Sequence, residues 1–263
     1  MTEYPYTDEI LEEAKAYLRD RLRNQSSMSR RIEELLTLYA EYLLNALFNS
    51  LGGSVENDVE LLVNDLIEQI LADCELLATD EHNRRELVLA YINREVADDN
   101  LRGRVSERVH TFANEVMAVY VAGKAIGQNY STMLSSIKGS LKDPWENPVL
   151  VAARTERNRG NIVIPDDVDI DEPHYGKGVA ISSLTALDWL TEHAIAEGWT
   201  YWQYLEEKDN GAKGYHVLRG SSYPCVECDS HTGVFYNIGD MDNLPPYHRS
   251  CCCFVVYSNV ERL

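Results

Sequence analysis

Apolar residues recur at helical spacing through the first half of the chain. The longest stripe is Val59, Leu62, Val63, Leu66, Ile67, Ile70, Leu71, Cys74, Leu77 and Ala78, one face of an amphipathic helix. Cys74 lies within that stripe and reads as a packing residue. Ile32, Leu35, Leu36, Tyr39, Leu43 and Leu47 make a second stripe, ended by Gly52-Gly53. Leu87, Val88, Tyr91, Ile92 and Val96 give a third, broken at Asp98-Asp99-Asn100 and Gly103. Val105, Val109, Phe112, Val116, Val119 and Gly123 give a fourth, with His110 on its flank as a structural residue. Thr7 with Asp8 and Glu9 offers an N-cap and an acidic first turn. Residues 7 to 138 therefore read as a helical bundle.

The pattern then changes. Gly127 to Ser131 introduces a short helix, and Asp143-Pro144-Trp145 and Pro148 interrupt the chain. A helical piece over 149–159 and a punctuated loop over 161–178 follow; that loop carries Asp166-Asp167-Val168-Asp169, read as solvated rather than cation-binding. Helical spacing returns from Ile181 to Ala196, with Gly198 as its expected end. From Gly214 the texture is β: Tyr215-His216-Val217-Leu218, Gly233-Val234-Phe235-Tyr236 and Phe254-Val255-Val256-Tyr257. The chain divides into a helical bundle over 1–140 and a region over 141–263 that holds a small β module at about 214–258. The fold class is α+β, a mainly α-helical N-terminal bundle with a small β-rich zinc-binding C-terminal module.

Charge narrows the function classes. The 263 residues carry a formal net charge of -19, which disfavours a protein that wraps nucleic acid by neutralising phosphates. A DNA contact is left open but not favoured, and the acidic surface suits basic partners. No apolar run is long enough to span a membrane. The N-terminus shows neither the basic start nor the apolar core of a signal peptide. A reducing compartment follows, and there clustered cysteines favour metal over disulfides.

Five of the six cysteines fall between Cys225 and Cys253. Cys225 and Cys228 are spaced C-x2-C, and Cys251, Cys252 and Cys253 follow His248, which itself follows Pro245-Pro246. A C-x2-C knuckle turns two thiolates toward one point, and a second turn completes a tetrahedral zinc site. Alternation along a strand puts Cys251 and Cys253 on one face and Cys252 on the other. The candidate ligands are therefore Cys225 and Cys228 with two of His248, Cys251 and Cys253; His216 and His231 are nearby outsiders. Zn2+ is structural here, because three short strands bury too little apolar surface to hold themselves together.

The order of these motifs resembles the phage head morphogenesis family, minor capsid proteins similar to the F protein of phage Mu. The resemblance rests on the Gly127 to Ser131 helix start and the Ala153-Arg154-Thr155-Glu156 helix, then on Cys225 and Cys228 and Gly233. It closes on Pro-Pro-x-His-x2-Cys-x-Cys from Pro245 to Cys253. It covers roughly residues 105 to 257. Family members carry Cys-Arg-Cys where this chain has Cys252 in the middle, a position already placed off the ligand face, and residues 206–219 find no counterpart. The resemblance implies a non-enzymatic head protein bound to the portal or the major capsid protein. It would sit in the virion, at the portal vertex or the capsid interior, after synthesis in the bacterial host cytoplasm. Its role would lie in head assembly or in DNA packaging and exit.

Rival readings meet specific obstacles. Pro224 to Cys228 matches half of the zinc deaminase signature, but no H-x-E supplies the glutamate, and His193 to Glu197 has the wrong spacing. A zinc-dependent nuclease or toxin-like enzyme would have to use His231, which lies inside the metal loop, and a basic groove that the composition does not offer. A generic zinc-stabilised interaction module stays open. Arg154 and Glu156, offered as an interaction pair, point roughly 200° apart on a helix and so do not form one site.

Overall fold

The computed structural model describes residues 6–49, 52–75, 82–95, 99–141, 147–171, 182–248 and 251–260. Of the break expected at Asp98-Asp99-Asn100 and Gly103, Asp98 lies outside the described residues, whereas Gly103 lies inside the helix Leu101–Ala125 and does not interrupt it. Asp143 to Trp145, the 172–178 part of the loop and the side chains of Cys74, Leu77 and Ala78 also lie outside the described residues. Eight helices are described: α1 (Asp8–Phe48), α2 (Gly52–Glu75), α3 (His82–Ile92), α4 (Leu101–Ala125), α5 (Tyr130–Ser140), α6 (Pro148–Asn158), α7 (Ser183–Asp209) and the short α8 (Val226–His231). Three strands, β1 (Gly214–Arg219), β2 (Phe235–Asn237) and β3 (Cys253–Ser258), form an antiparallel sheet in the order β2-β1-β3. The α+β class read from the sequence is the observed one. None of the described helices is long and apolar enough to cross a membrane.

The stripes became helix faces because they could be buried. Ile32, Leu36, Leu43, Val59, Leu62, Val63, Leu66, Val105, Val109, Phe112 and Val116 are each at most 2% exposed. Leu87 is the exception and faces solvent. Gly52, expected to end a helix, instead opens α2. Gly198, also expected to end one, lies inside α7, which continues to Asp209. A helical glycine costs about 1 kcal/mol against alanine. Burying Trp199, Tyr201, Trp202, Tyr204 and Leu205 just beyond it outweighs that, at about 1.5–3 kcal/mol for each large apolar side chain.

The chain forms two compact units. One gathers Ser29–Glu68 and Arg102–Leu190 and is helical among the described residues. Its polar ties include Tyr39 Oη to Asp65 Oδ2 at 2.7 Å and Arg102 to Glu60 at 2.8 Å. Buried Asn147 accepts from Val149 and Leu150 to cap α6 and from Ser136 Oγ at 2.6 Å. Gly123 leaves no room for a Cβ, which would sit 2.7 Å from Met133 Cε, so α4 and α5 meet closely there.

The other unit gathers Met1–Met28, Gln69–Leu101 and Thr191–Leu263, so each unit draws on both sides of residue 140. Here the first turns of α1 cover the sheet. Ala14 and Leu18 form one apolar cluster with Leu218, Phe254 and Val256, and Tyr6, Leu11 and Leu22 pack against it. Tyr6 Oη lies 2.6 Å from His216 Nδ1, which gives His216 a structural role on β1. The C-terminal part of α7 is tied on as well, with Tyr17 Oη donating to Trp199 O at 2.6 Å and Tyr204 Oη donating to Ile238 O at 2.5 Å.

Candidate metal centre

Two turns deliver the ligand atoms. Cys225 is the N-cap of α8, in extended backbone, and Cys228 sits one turn on. That turn is closed by Asp229 N donating to Cys225 O and Thr232 N donating to Cys228 O, at 2.8 and 2.9 Å. Gly233, at φ 79°, reverses the chain and donates its N–H to Val217 O at 2.9 Å; a side chain would be strained there. The second turn carries His248, whose carbonyl accepts from Cys251 N at 3.2 Å, and runs directly into β3. Gly220 makes room for it: a Cβ there would lie 2.2 Å from Cys252 O and 2.5 Å from Leu18 Cδ2.

The side chains converge. His248 Nε2 lies 3.2 Å from Cys225 Sγ and 2.9 Å from Cys228 Sγ, and Cys228 Sγ lies 3.8 Å from Cys251 Sγ. Cys225, Cys228 and His248 form one group whose ligand atoms are all within 4.8 Å of one another; Cys228, Cys251 and Cys253 form another. Cys228 belongs to both. Cys251 and Cys253 are buried while Cys252 is only half-buried, the expected in-and-out pattern, although Cys251 and Cys252 precede β3 rather than belonging to it. A tetrahedron with Zn–S near 2.3 Å and Zn–N near 2.0–2.1 Å has edges of about 3.5–3.8 Å, so small movements would close four of these five donors on one ion. The groups could hold a metal ion. Among the described residues, no three carboxylates of the Asp166 to Asp171 loop gather in this way.

The thiols differ in how readily they ionise. A hydrogen bond from Cys253 pulls the Cys251 thiol down to about 5, whereas burial pushes Cys228 up to about 12. Sharing its proton with Cys251 also pushes Cys253 up. Cys225 is lowered, first by the backbone N–H of Cys228. A metal needs thiolates, so loading displaces protons from the raised thiols and weakens as pH falls.

One residue of the site's surroundings escaped the sequence reading. Arg21 of α1 is only 2% exposed. Its Nη2 donates to Cys251 O at 3.0 Å and its Nη1 to Thr200 Oγ1 at 3.3 Å, while its Nε has no partner among the described residues. Burial lowers its pKa, and Cys251, Cys252 and Cys253 oppose that fall. A cation fixed beside three cysteines would offset the negative charge of a metal held by their thiolates. The signal was present: Ala14, Leu18, Arg21, Gln25, Met28 and Ile32 fall on one helical face, and all six are buried.

The other candidates lie elsewhere. His231 stacks on Tyr247 with ring centroids 3.9 Å apart and pairs its Nδ1 with Tyr236 Oη at 2.9 Å. His110 is exposed. Arg154 donates to Asp171 O at 2.8 Å, and Glu156 holds Arg159 and Asn161 at the end of α6, so the two side chains serve different neighbours. No family model, curated protein or solved structure matches the chain.

Proposed function

We propose that this chain is a non-enzymatic minor capsid protein of the phage head morphogenesis type, whose C-terminal sheet is pinned by one structural Zn2+. The observation that carries the reading is the convergence of Cys225, Cys228, His248, Cys251 and Cys253 from two turns. Soft thiolates with one imidazole select zinc in a reducing compartment. Four such donors fill a tetrahedron and leave no position for a reacting water. Cys225, Cys228, His248 and Cys251 are the favoured set, with Cys253 donating its S–H to Cys251. The order of motifs around this site, from Gly127 to Cys253, supports the head-protein reading, with the portal or the major capsid protein as partner and the virion as location.

The capsid role is tested by looking for the chain in purified particles of a phage that encodes it, with crosslinking to find its neighbour. The expected result is a low-copy virion protein crosslinked to portal or major capsid protein. A chain missing from particles, or a gene far from portal and large terminase genes, contradicts it and leaves a zinc-stabilised interaction module.

A further inference from the structure

A cavity of about 390 Å³ opens beside the metal loop, lined among others by Tyr91, Arg94, Glu197, Glu227, Asp242 and Tyr247. We propose that it binds the guanidinium or ammonium group of a basic side chain presented by a partner protein. The inference does not depend on the capsid reading.

The argument starts at Glu197, which is 5% exposed. Its Oε1 receives Arg94 Nη2 at 2.5 Å and lies 3.8 Å from His193 Nε2. Its Oε2 is buried and has no hydrogen-bond partner among the described residues. A buried carboxylate oxygen without a donor is destabilising, so a ligand bringing an N–H there recovers that loss. Arg94 does not supply it: its Nη1 donates to Tyr91 O at 2.7 Å, and its guanidinium lies 4.0 Å over the Tyr91 ring.

The remaining charge has one sign. Glu197, Glu227 and Asp242 outnumber Arg94, and the last two carboxylates are exposed. An anion therefore meets net repulsion, whereas a cation meets carboxylates and tyrosine faces together. A bare metal ion is disfavoured, because no three ligand atoms here come within 4.8 Å of one another. The volume falls within the ordinary range for ligand sites, about 300–1,000 Å³, and exceeds what one cationic head fills. Val226, 89% exposed, precedes Glu227 in sequence, and Met241, 37% exposed, precedes Asp242. Uncovered apolar groups next to the acidic lining suit a peptide that flanks its basic residue with apolar ones, rather than a free amine. A formal net charge of -19 draws such a partner in at long range.

The test uses the full-length, zinc-loaded protein and calorimetric titration with blocked pentapeptides that share apolar flanks and differ at the centre: arginine, lysine, citrulline or glutamate. Spermidine is the free-amine arm. Arginine or lysine peptides are expected to bind saturably, at least tenfold tighter than the neutral citrulline isostere, and spermidine more weakly than either. Glu197→Gln is expected to weaken binding at least tenfold with metal content unchanged. Should that variant not fold, the exposed pair Glu227→Gln with Asp242→Asn decides, with an expected loss of at least threefold. No binding, equal binding of the citrulline peptide, preference for glutamate, or unchanged affinity in the deciding variant overturns the site. Tighter binding of spermidine than of any peptide overturns the partner assignment. Zinc content, followed alongside, separates either failure from failure of the metal reading.

Discussion

The two compact units solve the same problem differently. The unit of Ser29–Glu68 and Arg102–Leu190 buries long apolar stripes, so its fold is held by packing spread over many side chains. In the other unit the sheet is three strands of three to six residues. It packs a small apolar cluster against α1 and buries Tyr215, Val217 and Val255 as well, and its loops meet at five side chains that could hold a metal ion. Spread packing fails gradually, one cavity at a time. A cross-link through a single ion fails all at once.

That contrast is broken most severely at Cys228, the ligand common to both groups. Cys228→Ser is expected to abolish metal binding and open residues 214–258 to protease while helical circular dichroism stays largely intact; Cys225→Ser and Cys251→Ser should do the same. Structural zinc contributes about 10–16 kcal/mol of apparent binding free energy in small finger peptides. A Cys228→Ser protein with unaltered zinc content and protease resistance would sink the account of that unit. Phe112→Ala, in the helical unit, should instead cost about 3–5 kcal/mol in denaturant unfolding and leave metal content unchanged.

Arg21 sharpens the comparison, because it belongs to a helix yet donates to the backbone of Cys251, a candidate ligand. Arg21→Met is expected to weaken zinc about 10–100-fold in competition with a chelator, with Arg21→Lys restoring part of it. Equal losses of thermal stability in both variants, without any change in affinity, would make Arg21 a packing residue only.

The last effect concerns pH. Glu115 receives Ser183 Oγ at 2.8 Å, and burial pushes its carboxyl up from 4.5 to about 8. The folded state therefore holds this proton more tightly than the unfolded chain does. The stability it contributes is fully present below pH 4.5 and is lost as pH rises through about 8. Glu115→Gln should remove about 4 kcal/mol of that decline, measured as the difference in unfolding free energy between pH 5 and pH 9. An identical pH profile in the variant contradicts the assignment.

Much of this was legible in the sequence, for a physical reason. Helical stripes such as Val59 to Ile70 repeat a local geometry, and the C-x2-C knuckle is local too, so neither needs the tertiary fold to be read. What escaped depended on distant partners. Gly198 looked like a terminator because its cost is local, whereas the burial of Trp199 to Leu205 that outweighs it is not. Arg21 drew no reading from the sequence, although its place on a buried face was a clue. The cavity at Glu197 draws Tyr91, Glu227 and Asp242 from three separate segments, and no spacing rule joins them.

The most direct measurement is native mass spectrometry of the reduced, full-length protein before and after chelation, with limited proteolysis of both samples. The account predicts one zinc per chain, and cleavage within residues 214–258 only after the metal is removed. A metal-free protein, or one whose C-terminal region resists protease equally in both states, contradicts it.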